Sequence, residues 1–288
     1  MADADGSLET FVLARAVWPA LLAACLTLLI TVPAAAQQPQ PIVEAAPAAP
    51  EFFSRFDFHM SIERLMRSQT PQEKLTDERF SWDSHFGGSF DLVDYVVGRA
   101  SVLIDYEAVM GSELRPFDPN QGNYTLEASL SGRVNDATEI VAIFHHVSRH
   151  LSDRPKLFAV AWNELGARLL HRRTFGATTV DVDLEGGRVT QHSYVDYTWL
   201  GEGQLQIRHP VNERVAVFGQ GTGRLMAVNG VLVQRGTQRG ARIEGGVRLN
   251  GKGGAFEIFA AYEKRPDADP LDRQSQRWAI AGFRVLNR

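Results

Sequence analysis

Residues 124–134, YTLEASLSGRV, alternate without a break: Tyr124, Leu126, Ala128, Leu130, Gly132 and Val134 fall on one side, and Thr125, Glu127, Ser129, Ser131 and Arg133 on the other. Successive side chains of an extended strand point to opposite faces, so this stretch is a strand with one apolar and one polar surface. The pattern returns where Val180, Val182 and Leu184 oppose Thr179, Asp181, Asp183 and Glu185. It returns again where Ile243, Gly245, Val247 and Leu249 oppose Arg242, Glu244, Gly246, Arg248 and Asn250. Further strand candidates cover 56–66, 79–86, 90–97, 100–109, 139–150, 157–170, 192–200, 203–209, 213–220, 226–235, 254–264 and 276–286. Runs such as Asp118-Pro119-Asn120-Gln121-Gly122, Asn229-Gly230, Asn250-Gly251 and Asp267-Ala268-Asp269-Pro270 punctuate them as turns. Merging neighbouring segments predicts an all-β domain of about 12 strands, within a range of about 10 to 14.

Antiparallel strands with one polar face build either a soluble sandwich or a membrane barrel. Length separates the two. Many of these segments run about ten residues or more, which a tilted strand needs to cross hydrocarbon, whereas globular strands run about five or six. Tyr95, Tyr106, Phe144, Trp162, Tyr197, Trp199, Tyr262 and Trp278 sit near strand ends or on the proposed outer faces, as an interfacial girdle requires. The final segment, Trp278 to Arg288, alternates like a closing strand, although it lacks a terminal aromatic residue. The expectation is a closed antiparallel transmembrane β-barrel over 52–288.

Ala16 to Ala36, AVWPALLAACLTLLITVPAAA, is an apolar run ending in small residues, which predicts a cleaved signal peptide over 1–36 and a bacterial outer-membrane destination. Leu22-Ala23-Ala24-Cys25 also has the form of a lipobox, and about 20 apolar residues could alternatively remain as an anchor. Residues 37–51, rich in Pro and Ala, read as a flexible leader. Cys25 is the sole cysteine, so the mature chain has no disulfide and no thiolate zinc site. A formal net charge of −4 gives no broad footprint for nucleic acid. The charged residues Glu63, Arg64, Arg67, Glu73, Lys74, Asp77, Glu78 and Arg79 read as an exposed loop, and Gly219-Gln220-Gly221-Thr222-Gly223 as a hairpin turn rather than a phosphate loop.

One constellation is suited to chemistry. In Phe144 to Asp153, FHHVSRHLSD, the residues His146, Ser148 and His150 share one face of a strand with Ala142 and Phe144. Their polarity predicts that the trio faces the lumen, in a hydrogen-bonded network with Asp153 and with Glu127 from the hairpin partner. A serine beside a histidine can also be activated as a nucleophile where a third group orients the imidazole. A metal pair is excluded for His146 and His150, because residues four apart on a strand are separated by about 13 Å; no metal and no cofactor is expected.

The run from Asp94-Tyr95-Val96-Val97-Gly98 through His146-Val147-Ser148-Arg149-His150-Leu151-Ser152-Asp153 resembles the Domain of Unknown Function 1207 (DUF1207) family of bacterial outer-membrane proteins. That resemblance implies a barrel and no particular reaction. A weaker resemblance, to the lipid A 3-O-deacylases, implies a triad of His146 as general base, Ser148 as nucleophile and Glu164 as orienting carboxylate, although Ser148-Arg149 departs from that family's serine-asparagine pair. Three functions follow as expectations. The first is a structural or pore-forming outer-membrane barrel, with lipopolysaccharide and the barrel assembly machinery as partners. The second is a lipid A or phospholipid ester hydrolase using His146 and Ser148. The third is a soluble periplasmic β-sandwich binding protein. The first two differ in which face matters: a lipid-acting enzyme presents its His-Ser pair at the rim or towards the bilayer, and a pore or scaffold keeps it in a hydrogen-bonded lumen.

Overall fold

The computed structural model describes residues 43, 45–67, 78–151 and 158–287. The predicted signal peptide, residues 37–42 and 44 of the leader, Glu73, Lys74, Asp77 and Asp153 lie outside the described residues. The chain forms β1 (Glu51–Phe52), β2 (Phe56–Arg67), β3 (Trp82–Asp94), β4 (Arg99–Gly111), β5 (Asp118–Asn135), β6 (Thr138–Leu151), β7 (Val160–Phe175), β8 (Thr178–Ser193), β9 (Tyr197–Pro210), β10 (Val215–Val228), β11 (Gln238–Asn250), β12 (Gly254–Arg265) and β13 (Gln276–Asn287). Each strand from β2 to β13 pairs antiparallel with its neighbours in sequence, and β13 pairs with β2, closing a barrel of 12 strands. The two-residue β1 only extends the sheet along β3, through Glu51↔Asp94 and Phe52↔Val93.

Closure pairs the strand edges that an open sheet would leave bare, which is why an antiparallel sheet can stand in lipid. The alternation then acquires a direction. Ile104, Leu126, Leu130, Ile140, Leu165 and Ile258 lie on the outer surface, each between 45% and 56% exposed. Their neighbours Asp105, Glu127, Glu139, Glu164 and Glu257 are buried in the lumen. Adjacent strands connect through 95–98, 136–137, 176–177, 211–214 and 251–253 at one end of the barrel, and through 112–117, 194–196, 229–237 and 266–275 at the other.

Several short expected strands prove to be pieces of longer ones. Residues 79–86 and 90–97 contribute to β3, and 203–209 joins the end of 192–200 in β9. The supposed turn at Gly219–Gly223 is the middle of β10. Its glycines face outward, while Gln220 and Thr222 between them and Phe218 before them are buried inside the barrel, so the run is an unbroken strand. Gly246 is likewise within β11, where a Cβ would lie 2.2 Å from the Ile258 carbonyl oxygen. Glu63, read above as part of an exposed loop, is a lumen residue of β2 with 1% exposure. The aromatic girdle is only partly as expected. Tyr106, Phe144, Trp199 and Tyr262 are outward and exposed, whereas Tyr197 and Trp278 are buried, and Trp162 packs with Tyr197 on the lumen side.

The lumen is filled by arginine-carboxylate networks. Arg242 donates to Glu63 at 2.9 Å, to Glu263 at 3.1 Å and to Glu244 at 2.8 Å. Arg284 joins Glu244 to Glu257, at 2.9 Å each. Arg265 bonds Asp83 and Glu107, and Arg99 grips Glu139 through two nitrogens at 3.0 and 2.9 Å. A charge withdrawn from water is tolerated only when paired and hydrogen-bonded, and the planar guanidinium reaches several carboxylates at once.

Both mouths are narrowed by chain. At one end Val43 packs against Val141, Ile143 and Leu170. At the other the 266–275 segment folds inward: Ala268 joins a cluster with Phe80, Phe218, Phe259 and Trp278, and its carbonyl accepts from Gln121 and Arg149. Tyr197 donates to Asp267 at 2.6 Å, and Arg235 from the 229–237 loop bonds both Asp267 and Asp196. Burial opposes ionisation of Asp196, but the hydrogen bonds and charge of Arg235 outweigh it and hold the carboxyl below the ordinary range. A carboxylate with a depressed folded value contributes stability above its unfolded value, near 3.9, and loses it as pH falls through the folded one. The 229–237 loop is therefore expected to resist proteolysis at pH 7 and to become cleavable below about pH 4. Arg235→Ala should make it cleavable at pH 7 as well, with equal digestion of the two proteins at neutral pH as the contrary result.

Candidate functional site

The antiparallel register of β6 and β7 places His145 opposite Glu164, His146 opposite Asn163, Val147 opposite Trp162 and Ser148 opposite Ala161. Opposite residues share a face. On β6 the odd-numbered residues Glu139, Val141 and Ile143 are buried in the lumen, and Ile140, Ala142 and Phe144 are outside. His146, Ser148 and His150 therefore stand on the outer surface, together with Asn163. This corrects the expected lumen position of the trio. The trio continues the outward face of Ile140, Ala142 and Phe144, and three polar residues at the strand end do not reverse it.

His146 Nδ1 lies 2.6 Å from Asn163 Oδ1. The asparagine is itself oriented, because its Nδ2 donates to Gln191 Oε1 at 2.8 Å. An amide oxygen only accepts, so His146 Nδ1 donates to it, and in the neutral ring the lone pair is then on Nε2, the tautomer that a general base requires. The register of β7 on β8 shifts between Asn163 and Glu164, and Thr190 Oγ1 donates to the Asn163 carbonyl at 3.3 Å. Such a bulge re-aims a side chain, here setting Asn163 and Gln191 on the outer face together.

Two residues beyond His146, Ser148 Oγ is 3.0 Å from His150 Nε2. The His150 ring meets the edge of Tyr124, with centroids 5.3 Å apart, and Tyr124 packs on Tyr106 at 4.9 Å. Tyr106 and Tyr124 are partly exposed on β4 and β5 and extend the outer surface beside the serine. The arrangement is a hydroxyl flanked by two imidazoles, one of them oriented by an amide, on an apolar wall. Chemically it can deliver a serine nucleophile to an ester lying against that wall.

The remaining predicted residues fall elsewhere. Glu164 is on the lumen side with 2% exposure, so the barrel wall separates it from His146 and Ser148 and it cannot orient that imidazole. Glu127 is also inside, held by Arg168 through two bonds of 2.8 Å, and makes no network with the trio. Asn163 and Gln191 were missed. Asn163 was discoverable, since a hairpin joining 139–150 to 157–170 brings a residue near it opposite His146; Gln191 depends on the bulge, which leaves no trace in residue type.

No protein-family model matches the chain, and no curated protein matches it in sequence. Among solved structures, an outer-membrane channel from Pseudomonas putida F1 is similar with a TM-score of 0.54 and 10% identity, over 87% of this chain and 99% of that one. The fold is that of the outer-membrane β-barrels. Two further such barrels are outer membrane phospholipase A from Escherichia coli, with a TM-score of 0.48 and 12% identity over 81% of this chain and 92% of that one, and LpxR from Salmonella typhimurium, with 0.46 and 10% over 80% and 99%. At these identities the likeness establishes the barrel alone, and the resemblance of 94–153 to the DUF1207 family has no matching family model behind it.

Proposed function

We propose that the protein is an outer-membrane ester hydrolase acting on the acyl esters of membrane lipids. The observation that carries this reading is the pairing of Asn163 with His146 on the lipid-facing surface, with Ser148 on the same face. An enzyme whose substrate lies in the bilayer needs an oriented imidazole beside a hydroxyl on that outer surface. The lumen supports the same choice, being crossed by buried ion pairs and narrowed at both mouths.

In outer-membrane barrels the longer connections face the exterior and the short turns the periplasm. Ser148 and His150 lie at the end of β6 that leads into the 152–159 connection, away from the two-residue turn at 136–137. The substrate is accordingly an acyl ester in the outer leaflet, of lipopolysaccharide or of a phospholipid. At rest Ser148 bonds to His150; rotation about χ1 turns Oγ along the strand towards His146. Oγ then attacks the ester carbonyl carbon while its proton passes to His146 Nε2, and the Asn163 oxygen stabilises the imidazolium formed. Collapse of the tetrahedral intermediate breaks the bond to the alcohol oxygen, which leaves with the proton from His146. Water attacks the acyl-serine by the same path and releases the fatty acid.

A lipophilic fluorophosphonate tests the nucleophile directly. The folded barrel in detergent is expected to gain one probe on the peptide containing Ser148, and Ser148→Ala to gain none. Labelling of both proteins alike, or of neither, would remove the serine from the mechanism.

A further inference from the structure

The lumen face of the same strands carries a second cluster, which the ester chemistry does not use. His145 on β6, Glu164 on β7 and Glu185 on β8 bring one ligand atom each to within 4.8 Å of one another. His145 and Glu164 are cross-strand partners, and Glu185 reaches them along the diagonal, its Oε1 3.8 Å from His145 Nδ1. They line a cavity of about 140 Å³.

Two features mark this cluster. First, two of its ligand residues carry unsatisfied polar atoms. Glu164 is 2% exposed, yet its Oε1 has no hydrogen-bond partner, and neither has the buried Nε2 of His145. Leaving a buried carboxylate oxygen unpaired costs several kcal/mol unless something else compensates it. Glu164 is also held there by the backbone: a Cβ on Gly187 would lie 2.2 Å from its Oε1, so only glycine leaves room for the carboxylate in this position. Second, the local charge does not balance. Arg168 serves Glu127 at 2.8 Å, Glu185 at 2.8 Å and Asp183 at 3.7 Å, and Arg224 serves Glu202 at 2.9 Å. Two guanidinium groups and the His145 ring thus face five carboxylates, counting Glu164. The other histidine-carboxylate cluster, Asp83, His85 and Glu107, also has an unpartnered Asp83 oxygen, but there Arg265 bonds both carboxylates and Asp105 bonds the histidine, whereas among the described residues no cation bonds Glu164.

We propose that His145, Glu164 and Glu185 form a binding site for a divalent first-row transition metal inside the barrel. One imidazole nitrogen and two carboxylates make a donor set that suits zinc and its neighbours, while calcium and magnesium prefer oxygen alone. The dication offsets the excess negative charge and satisfies the Glu164 oxygen, and the cavity has room for water to complete the coordination. Tying β6, β7 and β8 together behind Asn163 and His146, the metal braces the wall that carries the proposed catalytic face, although binding itself does not depend on that chemistry.

The full-length mature protein, folded in detergent and stripped with chelator, is the material for the test. Dialysis against micromolar Zn²⁺ and metal analysis of the washed protein should give one ion per chain. Co²⁺ should add visible d–d absorption, and Ca²⁺ should not compete. Glu164→Gln keeps the shape of the side chain and is expected to weaken Zn²⁺ binding at least about tenfold, and Gly187→Ala, which displaces Glu164, to do likewise, both with heat-shifted electrophoretic mobility unchanged. Wild type binding no metal, binding only Ca²⁺, or binding Zn²⁺ as tightly in the folded Glu164→Gln variant overturns the proposal. Fluorophosphonate labelling of Ser148 in the stripped protein reads the ester chemistry separately.

Discussion

Ser148→Ala is expected to lower fatty-acid release from outer-leaflet lipid by about 10⁴-fold or more, because it removes the atom that would form the acyl intermediate of the proposed reaction. Asn163→Ala is expected to cost about 10²- to 10⁴-fold, although Asn163 touches only the imidazole. Its oxygen fixes the proton on His146 Nδ1 at 2.6 Å, and without it Nε2 is no longer reliably the free base. As a positioning residue acting through His146, it should lower kcat by more than it changes KM. His150→Ala separates the two imidazoles: if His146 is the base, the variant retains most of its rate, and if the 3.0 Å contact with Ser148 is the productive one, it falls as far as His146→Ala. Release measured by mass spectrometry of lipids incubated with each folded barrel decides the matter. Equal release by wild type and Ser148→Ala would return the protein to the class of scaffolds and pores.

Arg242→Met is expected to cost about 3–5 kcal/mol of stability, the penalty for removing one partner from a buried ion pair. Arg242 is 2% exposed and contacts three carboxylates that are themselves buried. Two of them keep another cation, since Glu244 is also bonded to Arg284 and Glu263 to Arg265. Glu63, at 1% exposure, pairs across the lumen with Arg242 through both oxygens and would be stranded. The double variant Glu63→Leu with Arg242→Met should therefore recover most of the loss, because replacing both members of a buried pair with apolar groups is often near neutral. Urea unfolding followed by tryptophan fluorescence gives both values. A single variant as stable as wild type would mean that water, rather than Arg242, solvates Glu63.

How far the site was legible depends on particular residues. The pairing of a serine with a histidine two positions earlier was visible at His146 and Ser148, and so was the strand that holds them. Their orienting partner was not. Glu164 was the expected third member, and it is adjacent in sequence to the residue that takes that place, but a difference of one position on a strand is a difference of faces. His145 carried no chemical signal in the sequence, yet it stands in the lumen beside Glu164, whose buried Oε1 has no hydrogen-bond partner.

The sequence by itself determined the strands, their approximate number and the division of each into a polar and an apolar face, because alternation is a property of the local chain. Tyr124 to Val134 needs no neighbour to show it. Only the tertiary structure decided which segments fuse into long strands, as at Gly219–Gly223, and which face of β6 looks into the lumen. Those outcomes depend on hydrogen bonds to adjacent strands and on closure of β13 upon β2, and a hydrogen bond between residues 17 positions apart, such as His146 to Asn163, has no local counterpart in the chain. Where the local pattern is strongly apolar or strongly charged, it dictates the side that closure must choose. At His145 to His150 both faces are mixed, and there the register of the whole barrel settles which histidine meets lipid and which meets the buried carboxylates.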